Sequence, residues 1–323
     1  MTATEQSGYA YFAGAIVPFS EAKISIATHA FNYGTACFEG IRAYWNAEQE
    51  ELFVLKLREH YERLHRSAHI LKMSPPLSVD EMVDVTVELL KANAFRTDVY
   101  IRPILYKADP LISVKLSGIR DDFCVFCVPL GDYFDTEKGL HMGVSPWRRV
   151  DDNAIPARAK INGSYINAAL ASDDARAAGF DEAIMLTPEG HVAEGSSANL
   201  FLVRGGRLIT SPVSDSILEG ITRGMVLELA RELGFATEIR PIDRTELYVA
   251  EEMFLCGTGV QIAPVTKVDH RPVGSGRPGP MTRALQERFF AAVRGRDARY
   301  AHWLTPVYSR VAAASPGARG SGS

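Results

Sequence analysis

Apolar residues recur at helical spacing in two stretches of the first third of the chain. Tyr61, Leu64, Ala68 and Leu71 fall on one face of a helix over 58–71. Ser78 and Glu81 stand three apart, the spacing of a capping box, with Leu77 and Met82 placed as its hydrophobic staple. A second helix therefore begins there and turns Met82, Val85 and Leu89 inward. Alternation takes over at 99–106: Val99, Ile101 and Leu105 share one face of a strand, and Tyr100, Arg102 and Tyr106 the other. Phe123–Val128 is apolar throughout, the pattern of a strand buried on both faces.

The segment 129–139, PLGDYFDTEKG, is polar and rich in turn formers and reads as an interdomain loop. Beyond it the pattern predicts a strand at 141–145 and a helix over 164–178 closed by Gly179. Strands at 182–186 and 191–194 flank the turn Thr187-Pro188-Glu189-Gly190, and strands at 200–203 and 208–210 flank a second hairpin turn at 204–207. A helix over 221–233 ends at Gly234, a strand at 252–256 runs into Gly257-Thr258-Gly259, and a last helix covers 281–293. The expectation is an α/β (α+β) protein without regular βαβ alternation, with domains at 1–128 and 140–311. The remainder, 312–323, reads AAASPGARGSGS and is expected to be a disordered tail.

Composition removes several function classes. The chain has 323 residues, with 35 Lys+Arg against 39 Asp+Glu and a net charge of −4. With a pI near 6.1 it has no basic footprint for nucleic acid. No apolar run reaches the roughly 18 residues that would span a membrane, and the N-terminus has neither the basic nor the apolar region of a secretory signal. Four cysteines do not make a disulfide framework. The expectation is a cytoplasmic protein with reduced thiols. Cys124 and Cys127 form a C-x-x-C inside a strand, where alternation sends them to opposite faces, so packing explains them better than redox or metal chemistry. His65 and His69 stand four apart on a helix without a supporting cluster of ligands, and no metal site is expected.

The candidate chemistry lies at element ends. Lys160 sits among small neighbours just before a helix, and Tyr165 follows five residues on. Glu194 ends a strand before the small-residue loop Gly195-Ser196-Ser197-Ala198-Asn199. Leu218-Glu219-Gly220-Ile221-Thr222-Arg223 opens a helix, whose free N–H groups suit a phosphate that Gly220 lets approach closely. Gly257-Thr258-Gly259 offers a hydroxyl and further N–H groups. A lysine, a phenol, a carboxylate and a helix start together suit pyridoxal phosphate: an amine to hold the aldehyde, an anion for the pyridine nitrogen, and a cradle for the phosphate.

At this point the chain resembles the class IV aminotransferases, the fold-type IV pyridoxal-phosphate enzymes, and among them the branched-chain amino acid aminotransferases. The resemblance runs from about Ala10 to Tyr308 through HAFNYGTACFEGIRAY (29–44), LREHYERLHRSA (57–68), YIRPILY (100–106), the segment around Lys160, GHVAEGSSANLFLV (190–203), LEGITR (218–223) and CGTGVQIAPV (256–265). It implies two domains, the smaller N-terminal one α/β and the C-terminal one a pseudo-barrel. It implies transamination of Leu, Ile and Val with 2-oxoglutarate, and a homodimer or higher assembly whose partner closes part of the site. Lys160 would be the Schiff-base lysine and proton shuttle, Glu194 the partner of the pyridine nitrogen, and Tyr165 that of the ring oxygen. Arg58 would hold the phosphate with Gly220, Ile221, Thr222, Gly257 and Thr258, and Leu218 would pack on the ring. Tyr33, Phe38, Gly40, Tyr100, Val114 and Tyr133 would line the substrate pocket. Arg102 or Arg42, with Thr258 and Gly259, would meet carboxylates. The Tyr100-x-Arg102 pair separates the chain from the D-amino acid aminotransferases and aminodeoxychorismate lyases of the same fold. Two departures from the family's pattern, Leu130 and Asn162-Gly163-Ser164, bear on substrate range, including aromatic amino acids and (R)-amines.

Overall fold

The computed structural model describes residues 8–131 and 138–309. Seven strands precede the connection: β1 (Tyr9–Phe12), β2 (Ala15–Pro18), β3 (Ala36–Phe38), β4 (Ile41–Asn46), β5 (Glu51–Leu55), β6 (Val99–Lys107) and β7 (Asp121–Pro129). With them come helices α1 (His29–Tyr33), α2 (Leu57–Ile70) and α3 (Val79–Asn93). After the connection come β8 (Leu140–Arg148), α4 (Tyr165–Ala177), β9 (Glu182–Leu186), β10 (Val192–Gly195), β11 (Asn199–Arg204) and β12 (Arg207–Thr210). The chain continues through α5 (Ile221–Glu232), β13 (Thr237–Ile239), β14 (Glu252–Gly257), β15 (Gln261–Val268), β16 (Arg271–Pro272), α6 (Pro280–Val293) and β17 (Leu304–Pro306).

Two sheets result. The first runs β17-β5-β4-β6-β7-β1-β2, with β3 also paired to β6. The second runs β10-β9-β8-β15-β14-β11-β12-β13, with β16 against β15. One core lies between the first sheet and α2 with α3. It is built from the predicted stripe Tyr61, Leu64 and Ala68, from Val99, Ile101 and Leu105 of β6, and from Phe123 and Val125 of β7. A second fills the inside of the curved second sheet, and a third lies between that sheet and α5 with α6. Tyr44 and Leu55 of the first sheet join the third core, which binds the two halves together.

The capping box at the start of α3 is present in both directions, Ser78 to the Glu81 backbone and Glu81 back to Ser78. Strand β7 is buried on one face only. Phe123 and Val125 are in the core, whereas Cys124, Phe126 and Val128 on the other face are half-buried, Phe126 against the Phe19 ring and Val128 at the edge of a cavity. Within the stretch 140–311, expected as one domain, the last strand does not join the second sheet. Strand β17 returns to the first sheet, with Leu304 opposite Leu55 and Pro306 opposite Phe53. The Glu51 carboxylate fixes this return by accepting from the backbone N–H groups of Val307, Tyr308 and Ser309. The tail at 312–323 and most of the 129–139 loop lie outside the described residues.

Helix α2 is tied to the turn between β3 and β4 by a buried polar triad. Glu39 Oε1 accepts from Arg63 Nε at 2.7 Å, Glu39 Oε2 accepts from Arg63 Nη2 at 2.7 Å, and His60 Nδ1 lies 2.8 Å from Oε2. Burial alone would raise the Glu39 pKa, but Arg63 and His60 outweigh it and hold the carboxyl at about 2 against an ordinary 4.5. Burial also keeps the His60 ring below its usual 6.5.

Three outcomes are expected. A carboxylate depressed in the folded state adds stability above the unfolded pKa and loses it as pH falls to the folded one. Urea unfolding at stepped pH should therefore begin to lose stability as pH falls below 6.5, where the unfolded chain protonates His60 before the folded one does, and should lose more between 4.5 and about 2 as Glu39 takes a proton. Glu39→Gln should flatten the lower step and cost about 3–5 kcal/mol at pH 7, since Arg63 is left as an uncompensated buried charge. Ser78→Ala should cost about 1 kcal/mol, read as a fall in thermal midpoint.

Candidate active site

Between the two sheets lies a cavity of about 380 Å³. Its first-sheet wall carries Phe38, Gly40, Tyr100, Arg102, Val128 and Leu130, and Arg63 of α2 reaches one end. Its second-sheet wall carries Lys160, Tyr165, Glu194, Asn199, Leu218, Gly220, Ile221 and Thr222, and the β14–β15 turn Gly257-Thr258-Gly259.

The Lys160 backbone is held by the first half of the fold. Its carbonyl accepts from Phe38 N at 3.0 Å and its N–H donates to Ser67 Oγ at 3.2 Å. The side chain then enters the cavity, where Nζ lies 2.6 Å from Tyr165 Oη and 5.0 Å from the Phe38 ring centroid. Tyr165 begins α4, and a short 3₁₀ turn at Asn162–Ser164 in front of it puts the phenol back over the lysine.

Glu194 stands on β10, whose partner β9 pairs it with Met185. The carboxylate is buried and accepts three kinds of donor. Arg149 Nη2 lies 2.9 Å from Oε1, Asn199 Nδ2 2.9 Å from Oε2, and Leu218 N 3.3 Å from Oε2. Burial pushes the Glu194 pKa up, and Arg149, the Leu218 N–H, Lys160 and Arg223 oppose it. Asn199 also donates to the Leu218 carbonyl at 3.0 Å, and its Oδ1 sits where a Cβ on residue 220 would be. Only glycine at 220 leaves room for that amide.

Gly220 is also the N-cap of α5, so the first-turn N–H groups of Ile221 and Thr222 have no helical acceptor and point into the cavity end that Arg63 reaches. Arg63 Nη1 donates to the Glu219 carbonyl at 3.0 Å, which joins α2 to this helix start. Positive charge and unpaired N–H groups at one spot make an anion site. At the opposite wall Arg102 donates to Tyr100 Oη through Nη2 at 2.7 Å and lies 4.4 Å from the Phe38 ring centroid. Gly40 provides the space for the Tyr100 hydroxyl, which a Cβ there would strike.

Of the residues singled out in the sequence, Lys160, Tyr165, Glu194, Leu218, Gly220, Ile221, Thr222, Gly257, Thr258, Gly259, Phe38, Gly40, Tyr100 and Arg102 line this one cavity. Others are elsewhere. Arg58 is on the solvent face of α2, its side chain 55% exposed and paired with Asp80. The arginine at the anion site is Arg63, five residues on and about 140° around the helix. Arg42 is buried behind the wall, donating to the carbonyls of Gly131 at 2.6 Å and Gly259 at 3.2 Å. It braces the Gly259 turn from behind and does not line the cavity. Tyr33 is exposed and its ring meets that of the buried His29 at a tilt of 42°, and Val114 is 92% exposed. Tyr133 lies outside the described residues. Sequence reasoning passed over Arg63, Arg149 and Asn199. A signal for Arg63 was present: His60, Arg63 and Ser67 form a polar stripe beside the apolar one on α2, and all three are buried.

A family model described as Amino-transferase class IV matches residues 36–268. The chain is 50% identical to a probable branched-chain-amino-acid aminotransferase of Aquifex aeolicus, over 94% of this chain and 97% of that one. Among solved structures it is similar to the branched-chain aminotransferase of the archaeon Thermoproteus uzoniensis with norvaline, at a TM-score of 0.90 and 42% identity, covering 94% of this chain and 100% of that chain. It is likewise similar to a T.th. branched-chain amino acid aminotransferase complexed with N-(5'-phosphopyridoxyl)-L-glutamate, at a TM-score of 0.89 and 38% identity over 93% and 98% of the two chains. With a family match over most of its length and a half-identical relative spanning nearly all of it, the chain belongs to the class IV aminotransferases.

Proposed function

We propose that the chain is a pyridoxal-phosphate-dependent transaminase that passes the amino group of branched-chain L-amino acids to 2-oxoglutarate, giving branched 2-oxo acids and L-glutamate. One observation carries this reading. A lysine amine and a buried carboxylate face the same cavity, and an arginine and a helix start form an anion site at its end. That donor set fits the cofactor: Lys160 for the aldehyde, Tyr165 for the ring oxygen, Glu194 for the ring nitrogen, Leu218 against the ring, and Arg63 with Ile221, Thr222 and Thr258 for the phosphate. The relative in complex with phosphopyridoxyl-glutamate supports it. When bound, pyridoxal phosphate supplies an aldehyde for an amine and a ring that takes up the electron pair left as the α-proton departs.

The residues of the chain do the rest. Lys160 Nζ would take the substrate α-proton and pass it to the carbon that carried the aldehyde. The Tyr165 hydroxyl, 2.6 Å from that amine, keeps it in place. Glu194 as an anion holds a proton on the ring nitrogen. Phe38, Tyr100, Val128 and Leu130 give the aliphatic side chain an apolar wall. Arg102, anchored on Tyr100, meets the second carboxylate of the dicarboxylic partner. The norvaline and phosphopyridoxyl-glutamate complexes of the relatives match these two substrate kinds.

The assembly is a homo-oligomer in the cytoplasm. No helix among the described residues is long and apolar enough to cross a membrane. Ile26, Phe31, Ile112 and Val114 are strongly exposed on two segments that His29 Nε2, 2.8 Å from the Ser113 carbonyl oxygen, brings together. An apolar surface of this kind calls for a covering partner, and a second copy brings Tyr33 and Val114 to the mouth of its neighbour's site.

Borohydride treatment of the holoprotein followed by peptide mass spectrometry should place the phosphopyridoxyl group on Lys160. Lys160→Ala should lower kcat with L-leucine by on the order of 10³-fold or more. A linkage elsewhere, or none, defeats the assignment. Arg63→Ala should weaken cofactor binding about 10–100-fold, the worth of a lost charge-assisted contact, while Arg58→Ala should leave it within about twofold. The reverse order would return the phosphate to Arg58.

A further inference from the structure

We propose that Arg149 is a positioning residue for the transamination. By ion-pairing with Glu194 it keeps that carboxylate anionic and aimed into the cavity, so that the proton shared with the cofactor's ring nitrogen rests on the nitrogen. The inference depends on the reading of Glu194 as the ring-nitrogen partner.

The geometry is specific. Arg149 follows directly on β8, and its own N–H is fixed to the Leu186 carbonyl at 2.8 Å at the end of β9. Its side chain is 14% exposed and lines the cavity. Nη2 reaches Glu194 Oε1 at 2.9 Å while Nε donates to the Ser216 carbonyl at 3.1 Å. Ser216 has a positive φ of 55°, an uncommon conformation for a residue other than glycine. It begins the turn that carries the Leu218 N–H onto the same carboxylate. One guanidinium thus holds both the carboxylate and the backbone that completes its shell.

Proton placement follows from distance. The charged and titratable groups around Glu194 are Arg149, Lys160 Nζ, Arg223 of α5 and Cys256 of β14. Arg149 touches the carboxylate directly at 2.9 Å, so it would stabilise the anion of Glu194 more than it would repel a proton on a ring nitrogen that reaches this carboxylate without touching Arg149. Without it, burial makes the carboxyl the better proton holder, and the proton passes from nitrogen to oxygen. The pair becomes a neutral acid against a neutral pyridine, and the ring is a poorer acceptor of the electrons released with the α-proton. Lys160 and Arg223 remain, but Arg149 is the cation paired with Glu194 among the described residues.

The test is nitrogen-15 NMR of holoprotein loaded with ring-labelled pyridoxal phosphate, in the wild type and in Arg149→Gln, Arg149→Met and Arg149→Lys. The wild type should show a protonated ring nitrogen. Arg149→Gln keeps a hydrogen-bond donor without the charge, and Arg149→Met removes both. In both the resonance should move to the unprotonated position, with kcat falling about 10–100-fold and KM within a few-fold. Arg149→Lys should resemble the wild type at neutral pH and lose the ring proton in a new alkaline step, because lysine sheds its charge and arginine does not. A ring nitrogen that stays protonated in Arg149→Gln, or an Arg149→Lys titration without the alkaline step, overturns the role of Arg149 and leaves Glu194 standing. If the neutral variants fail to fold, the lysine titration alone decides. An unprotonated ring nitrogen in the wild type defeats the underlying reading of Glu194 instead.

Discussion

An ionised carboxylate removed from water must be matched by charge and hydrogen bonds in its own neighbourhood, and this constraint organises the cleft. Two carboxylates are sunk there, Glu39 behind one end of the cavity and Glu194 along its wall. Each has a guanidinium in direct contact, Arg63 for the first and Arg149 for the second. Their balances differ. Glu39 has a two-pronged arginine and a histidine, and its carboxyl is held far below the usual range. Glu194 has one arginine contact, an amide and a backbone N–H, and burial still outweighs them. A group so poised responds to a neighbouring proton, whereas one as strongly held as Glu39 serves as a fixed anchor for Arg63. Perturbed carboxylates in clefts mark functional sites for this reason.

Pairing at such close range sets demands on residues with no chemistry of their own. The Asn199 amide reaches Glu194 because position 220 has no side chain, and Tyr100 takes its place beside Arg102 because position 40 has none. Small residues at these points are the counterpart of large polar ones across the cavity. Arg42 shows the same logic at a further remove. Its guanidinium, buried between the sheets, donates to backbone carbonyls on both sides of the cleft and fixes the Gly259 turn from below.

Much of this was legible in the sequence where the signal was local. The capping box of α3, the Thr187–Gly190 turn and the glycine ends of α4 and α5 depend on residues within a few positions of one another, and they are found where the pattern put them. Lys160, Glu194 and the start of α5 were legible because each sits at an element end, where polar chemistry stands out. Signals that depend on orientation were harder to read. Arg58 and Arg63 occupy the same helix, and choosing between them requires knowing which side of α2 faces the second sheet. The apolar stripe gives the core side but not the site side. Strand β17 has three residues and no periodicity, and its pairing with β5 is fixed by the distant Glu51. Val114 is 92% exposed, and no pattern along the chain sets its distance from the cavity.

The segment from Ser216 to Thr222 joins these strands of reasoning. It contributes a carbonyl to Arg149, an N–H to Glu194, a second carbonyl to Asn199, a third to Arg63 and the free N–H groups of α5. Arg149, Glu194 and Asn199 come from the second sheet and its flanks, and Arg63 from the helix over the first. A left-handed residue at its start costs on the order of 1 kcal/mol, and it persists because these contacts leave the segment no other course. The carboxylate wall and the anion site are therefore two faces of one short stretch of backbone. Displacing either moves the other, and a ligand that bridges them is held at both ends by a single rigid piece rather than by two that have to be brought into register.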